Sequence, residues 1–521
     1  MSGVGNDPAP GARRPTPSVL LEWATVACLF LFAAAAPHSI AGAQTSWVLA
    51  MLCWAARFLF KPRPRTWRTP VDYALLGFFI LTFVSSLFSY EPGVSIGKMR
   101  AASLFTIVYV AAQNIPSRRV LRALAVVLVA SCAVNVVYTF GKYAAGRGVK
   151  VGRLAADSPL RAAGVAEGDT ILSVDGAEVG SPGEVERAIL AERPAKDKVY
   201  RMPDGRKACE WGAEVACVRV YRVEALPAYN VPRDGLSRGE TVEARLGLES
   251  WTKGRDERAT GFYGQYQTYS EVLQLIASVA LGMLVAVRRK LSTKGLLLGV
   301  VLAGMCGALL LTVTRASWAG FLLSAFTVAA VGASRRALVI TAGVALPLAL
   351  AGLFVLQQKR QVGFIDTQEG STSWRLIVWR EGFDILVKSP RHLLVGVGMD
   401  TLKKRWREWG MFDKGRQPWG HLHSTPLQIA FERGVPALVA WLTLLFVYAR
   451  MLWRMARSRA TTDWRERGLV LGALGGLAGF VAAGLVHYNL GDSEVVMIFY
   501  FVMGLALAAR RLTPAPDPQE N

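Results

Sequence analysis

Runs of about 17 to 25 apolar residues, the length a helix needs to cross a bilayer, recur along the chain with short polar stretches between them. Their pattern predicts about twelve spans, near residues 19–36, 45–60, 71–89, 98–114, 120–143, 269–287, 295–313, 316–333, 337–356, 425–449, 468–487 and 494–509. The distribution of Lys and Arg orients them. With Arg13 and Arg14 at a cytoplasmic N-terminus, alternate connections are basic: Lys61 to Arg68, then Arg118 and Arg119, Arg288 to Lys294, Arg335 and Arg336, Arg450 to Arg467, and Arg510 and Arg511. Both termini are therefore expected inside. The first apolar run is too long for a signal peptide and has no convincing small-residue cleavage site, so it is kept as a span.

Two long connections fall on the outer side in this topology. In the first, from Val149 to Leu190, the pattern changes to period-two strands, Gly turns and a short helix, the signature of a small soluble module. Ser158-Pro159, Ala163-Gly164-Val165, Gly168-Asp169-Thr170-Ile171, Val174-Asp175-Gly176 and a helix opening near Ser181-Pro182 make this stretch resemble a PDZ domain. The resemblance fades after Arg193. PDZ domains bind extended peptides by strand addition, which implies a periplasmic docking module; the plainer alternative is an insertion that only packs against the membrane domain. Cys209 and Cys217 lie in this segment at a spacing that can close a hairpin disulfide in an oxidising compartment, whereas Cys28, Cys53, Cys132 and Cys306 lie in spans, where packing is the expected role.

The second outer segment, between Gln357 and Ser424, is basic. Within it Thr372 to Val387 reads as an amphipathic helix ending before Pro390, and Gly396-Val397-Gly398 as a turn. His421, Leu422, His423 and Ser424 follow at the mouth of the tenth span, with Gln428, Glu432, Arg433 and Gly434 deeper. The chain holds 5 His, so two at one mouth single it out. An HxH pair is also a metal half-site, but no third ligand is evident and no metal or other cofactor is expected. Arg315 stands at the outer junction of the seventh and eighth spans, where an unpaired buried cation costs about 2.5 to 3.5 kcal/mol or more; it either snorkels to the interface or meets an anion.

Composition agrees with a membrane protein: 52% of the residues are hydrophobic and 19% charged, with a mean hydropathy of +0.30. These values exclude a disordered chain, a collagen-like fibre and a small disulfide scaffold. The formal charge of +22 first reflects basic cytoplasmic loops and does not imply a nucleic-acid partner.

Four pieces together resemble the O-antigen ligase and polymerase superfamily over about residues 255–505. They are Arg258-x-x-Gly261-Phe262, Arg315-Ala-Ser-Trp318, Arg375-x3-Trp379 followed by Gly396-x-Gly398, and His423-Ser-x-x-Leu427-Gln428-x3-Glu432-x-Gly434. Two departures stand out: Ser424 follows the His where many relatives have Asn, and the PDZ-like insertion is unusual for the family. The resemblance implies an inverting membrane glycosyltransferase of the GT-C type, which moves a glycan from a polyprenyl diphosphate carrier to an acceptor hydroxyl at the periplasmic face of the bacterial inner membrane. Lipid A core is the favoured acceptor. Carried over residue by residue, Arg315 and Arg375 hold the donor diphosphate and stabilise the leaving group's charge, and His423 is the general base. Arg258, Arg380, His421, Gln428 and Glu432 complete the candidates as substrate-binding residues. Asp492-Ser493-Glu494 is read as polar support, not as a metal motif.

The expected architecture is an all-α polytopic protein of about twelve transmembrane helices with a periplasmic PDZ-like α/β insertion. It divides into a cytoplasmic tail (1–18), helices one to five (19–146), the insertion (147–262), helices six to nine (263–356), a periplasmic catalytic loop (357–424), helices ten to twelve (425–509) and a second tail (510–521). Alternatives within the family are an O-antigen or exopolysaccharide polymerase and a protein O-oligosaccharyltransferase; outside it stand a polysaccharide transporter or a PDZ scaffold. Besides donor, acceptor and membrane lipids, a peptide or protein at the PDZ-like module is a further partner. A zinc-dependent intramembrane protease is excluded, because none of His38, His392, His421, His423 and His487 is followed by Glu as a His-Glu-x-x-His motif requires.

Overall fold

The computed structural model describes residues 16–191, 198–201, 207–222, 226–333, 370–416, 420–458 and 463–513. Among them, nine helices are long and apolar enough to cross a membrane: Pro17–Ala35, Pro92–Asn114, Arg118–Ala145, Tyr266–Ala286, Thr293–Leu311, Arg315–Gly332, Val435–Arg457, Trp464–Gly484 and Ser493–Leu512. This mostly helical architecture is that of a polytopic membrane protein. The expected spans 45–60 and 71–89 appear as helices Ile40–Arg57 and Asp72–Leu87, the first diluted by Gln44, Thr45 and Ser46 and the second only 16 residues long. The expected span 337–356 lies outside the described residues.

Two compact units form, one from Met1–Asn135, Thr260–Leu310 and Thr314–Asn521, the other from Val136–Ala259 with Leu311–Val313. The first unit is built around three helices, Tyr266–Ala286, Trp464–Gly484 and Ser493–Leu512, whose apolar windows are 78%, 78% and 83% buried. Small residues explain how closely the first two approach. A Cβ on Gly472 would stand 2.4 Å from the Val279 Cα, and one on Gly282 would meet the Gly472 Cα at 2.9 Å. Backbones thus touch along a Gly468-x3-Gly472 stripe, the small-xxx-small packing that membranes favour because apolar side chains gain nothing from leaving lipid. Gln274 crosses this interior, donating to Ser324 Oγ at 2.8 Å and to the Gly476 carbonyl at 3.3 Å. The outer helices instead expose apolar faces such as Leu297 and Val300, as a surface in lipid requires.

One expectation needs correction. The span placed at 425–449 is divided at Gly434 into a short helix, Thr425–Arg433, and the long Val435–Arg457 helix. Gly434 has φ +83°, and a Cβ there would lie 2.3 Å from the Leu394 carbonyl oxygen, so the chain turns where only glycine fits. The short helix buries Gln428, Glu432 and Arg433 within protein, which accounts for polar side chains in an apolar-looking run.

The second unit is an antiparallel sheet with short helices. Strands β1 (Val149–Leu154), β2 (Thr170–Val174), β3 (Ala177–Glu178), β4 (Lys198–Arg201), β5 (Lys207–Trp211), β6 (Val215–Tyr221), β7 (Ala228–Pro232) and β8 (Leu248–Lys253) arrange as β7-β6-β2-β1-β8, with β3 on β2 and a separate β4-β5 hairpin. Val149, Val151, Ile171, Val174, Val218 and Val220 point into one core, closed by Val185 and Ile189 of the Pro182–Leu190 helix. Ser181 caps that helix by accepting the Glu184 N–H. Cys209 and Cys217 are joined as a disulfide.

Candidate active site

The basic segment after residue 370 carries its own small core, in which Val378 of the Gly370–Val387 helix meets Val397, Leu402, Phe412, Leu422 and Phe431. Leu422 anchors the turn that displays two histidines. Its N–H donates to Gln428 Oε1 at 2.7 Å and its carbonyl accepts from Trp379 Nε1 at 2.7 Å. Held on both sides, Leu422 points inward while His421 and His423 face the other way. His423 adopts a left-handed φ of 46°, a conformation uncommon for a non-glycine residue and one that surrounding structure must impose.

The Gly396-Val397-Gly398 turn docks on the short helix below. Val397 and Gly398 donate N–H groups to the carbonyls of Phe431 and Glu432 at 2.9 and 2.8 Å. A Cβ on Gly396 would fall 2.4 Å from the Glu432 carbonyl oxygen, so this contact is open only to glycine. It fixes Glu432, whose Oε1 accepts from Gln428 Nε2 at 2.9 Å and from the Asp400 N–H at 3.0 Å, while Oε2 accepts from the Tyr488 hydroxyl at 3.3 Å.

Above these residues opens a cleft of about 360 Å³, lined by His421, His423, Gln428 and Glu432 and by residues from distant stretches: Lys98, Glu271, Asp400, Lys403, His487, Tyr488, Asp492 and Glu494. His487 Nδ1 and Glu271 Oε1 form a buried pair at 2.7 Å. Lys98 and Lys403, each about half exposed, meet Asp400 at 2.7 and 3.2 Å. Burial alone would raise the Asp400 carboxyl, but these two ammoniums outweigh it and hold it below the usual range. Burial raises Glu432 above the ordinary carboxyl range, against the opposing pull of Arg433.

Burial, then the neighbouring His487, Lys403 and Arg375, lowers His421 to about 4. Burial, then His421, Arg375 and His487, lowers His423 to about 2. Both rings are therefore neutral at physiological pH. Their centroids lie 4.0 Å apart with the ring planes tilted by 37°, and His423 meets the Trp374 ring edge-on at 4.7 Å.

The sequence candidates thus separate. His421, His423, Gln428 and Glu432 share the cleft, and Arg375 acts on both imidazoles through its charge without lining it. Arg380, one turn further along the same helix, is exposed. Arg315 opens the Arg315–Gly332 helix and is not a lining residue, and Arg258 belongs to the inserted unit. Sequence reasoning passed over Lys98, Asp400, Glu271 and the partnership of His487. Glu271 carried a readable signal, an acid inside an expected span. Among the described residues no cluster of three or more His, Cys, Asp or Glu is arranged to hold a metal ion.

Residues 300–442 match the protein-family model described as O-Antigen ligase, and no curated protein matches the chain. The matched stretch is about a quarter of the sequence and contains Arg315, Arg375, Arg380 and the His421–Glu432 run. With the nine apolar helices among the described residues, the similarity supports a multi-pass membrane protein with a ligase- or polymerase-like glycan-transfer function.

Proposed function

We propose that the protein is an inverting membrane glycosyltransferase of the GT-C type, which transfers a glycan from a polyprenyl diphosphate carrier to an acceptor hydroxyl, with lipid A core as the favoured acceptor. The observation that carries this reading is the meeting, in one cleft, of the histidines of the family-matched stretch with paired carboxylates and two half-exposed lysines. Transfer from a diphosphate carrier needs cations for the leaving group and an imidazole for the acceptor's proton. Lys98 and Lys403 line the cleft, and Arg375 sets the local potential; Arg315 remains a donor-binding candidate through the resemblance. The basic connections described above support an inner-membrane orientation with cytoplasmic termini and a periplasmic site. The inserted unit, read as PDZ-like, supplies a surface for an extended peptide and favours a protein acceptor or assembly partner as the second reading.

Reconstitution tests the proposal. Purified protein in vesicles receives polyprenyl-diphosphate oligosaccharide and lipid A core, with Arg375→Ala in parallel. Glycan on lipid A core, lost in the variant, is the expected result. Longer glycan still on the carrier would make the protein a polymerase, glycan on Ser or Thr of a supplied protein would make it a protein oligosaccharyltransferase, and no transfer from a competent donor to any acceptor would reject the reading.

A further inference from the structure

We infer that His487, held by Glu271, is the residue that takes the acceptor hydroxyl's proton, an assignment that rests on the glycan-transfer reading above and moves the base away from His423, where the resemblance puts it. His487 Nδ1 and Glu271 Oε1 lie 2.7 Å apart; with Glu271 as the carboxylate Nδ1 is the donor, so the neutral ring has its lone pair on Nε2, in a side chain that lines the cleft. When Nε2 takes up a proton, the imidazolium faces a carboxylate already in place, as in hydrolase triads where a buried acid orients and stabilises the histidine. Backbone bonds fix the ring's position as well: the His487 carbonyl accepts from the Thr425 N–H and hydroxyl, both at 3.0 Å. Thr425 opens the same short helix that carries Gln428 and Glu432, so this base is tied to the turn that displays the other histidines.

His421 has the opposite tautomer. Its Nδ1 accepts the His423 N–H at 3.2 Å, so the neutral ring carries hydrogen on Nε2 and is a donor, suited to an oxygen of the departing diphosphate. His423 has aromatic rings and the charge of Arg375 around it; a positive charge gained there would meet another cation. Besides Glu271, the charged and titratable groups that line the cleft with His487 are His421, His423, Lys98, Lys403, Asp400, Glu432, Tyr488, Asp492 and Glu494.

The step balances as one displacement. The acceptor's O–H bond breaks with its proton passing to His487 Nε2, the acceptor oxygen bonds to the anomeric carbon from the face opposite the leaving group, and the bond from that carbon to the phosphate oxygen breaks with its electron pair leaving on the diphosphate. The imidazolium then returns its proton to water.

The full chain in vesicles, with the polyprenyl-diphosphate oligosaccharide and a panel of lipid A core, a second lipid-linked glycan and a Ser/Thr peptide, tests this. His487→Asn keeps an N–H donor for Glu271 and removes the basic nitrogen. Its kcat should fall by about a hundred- to ten-thousand-fold, the usual worth of a general base, with the donor KM within about threefold. Glu271→Gln, at a positioning residue, should lower kcat while sparing the donor KM, and His423→Ala should raise the donor KM more than it lowers kcat. Should His487→Asn fail to fold, His487→Ala decides, with recovery of turnover by added imidazole expected. A folded, active His487→Asn beside an active wild type, or a kcat loss confined to His423→Ala, would overturn the assignment alone. A wild type that transfers nothing to any acceptor would overturn the glycan-transfer reading and this assignment with it.

Discussion

In the inserted unit the buried Asp175 carboxylate faces Arg233, whose guanidinium also donates to the Gly212 carbonyl at 2.8 Å and to the Ala188 carbonyl at 3.2 Å. Asp175 in turn accepts the Cys217 N–H at 2.8 Å. Asp169 is likewise met by both arms of Arg222 at 2.7 Å. In the cleft the buried carboxylates are met otherwise: Glu271 faces an imidazole, and Glu432 is shared among an amide, a backbone N–H and a phenol, with Arg433 at 3.9 Å. The two arrangements separate structural from chemical charge. A carboxylate matched to a guanidinium is fixed in its charge state and joins pieces of a fold. A carboxylate matched to neutral or titratable groups around an open volume can exchange protons and partners.

The largest effect that can sharpen this contrast is expected at Arg233. Arg233→Met removes the cation and leaves Asp175 buried among the carbonyls that Arg233 had bound, at a cost of about 3 to 5 kcal/mol. Limited proteolysis of the full chain in vesicles should cut the inserted unit faster in the variant, while cleavage of the membrane helices stays unchanged. Equal resistance of the inserted unit would mean that the ion pair is dispensable and that the contrast with the cleft is false.

Glu432→Gln tests the other side. The amide keeps an oxygen for Gln428 and the Asp400 N–H, so thermal stability should change by about 1 kcal/mol or less, whereas glycan transfer should fall about ten- to a hundredfold as the charge next to Arg433 and Tyr488 disappears. A thermal loss as large as that of Arg233→Met, with transfer retained, would class Glu432 with the structural carboxylates.

The two regions also differ in how far their sequences could be read. Local rules suffice for the inserted unit: Gly168, Asp175-Gly176 and Ser181-Pro182 mark turns and a cap that form from neighbouring residues, with Gly168 and Gly176 at positive φ. The nine long apolar helices among the described residues were legible for the same reason, since hydropathy is a property of each segment alone. The division at Gly434 was not, because it depends on the Leu394 carbonyl lying where a Cβ would go. Of the cleft, the run His421 to Glu432 was legible as one stretch of sequence. Lys98, Glu271, Asp400 and His487 come from four separated places, and nothing in a single sequence says which helix ends converge.

A further expected effect concerns pH and the histidine pair. His421 is lowered to about 4 and His423 to about 2 from an ordinary value of 6.5. The unfolded chain therefore binds protons that the folded chain refuses as pH falls below 6.5. The sign follows: this contribution to stability is fully present above pH 6.5 and is lost progressively as pH falls from there through about 4 and below. Thermal denaturation of the full chain between pH 8 and 4 should thus show a shallower decline below about 6.5 in His421→Gln than in the wild type, because glutamine keeps a polar group in the turn and takes up no proton, while His423 still contributes its share. A His421→Gln variant that declines as steeply as the wild type would mean that the ring is not held neutral by its surroundings, and that the cleft's histidines are as solvated as those of a surface loop.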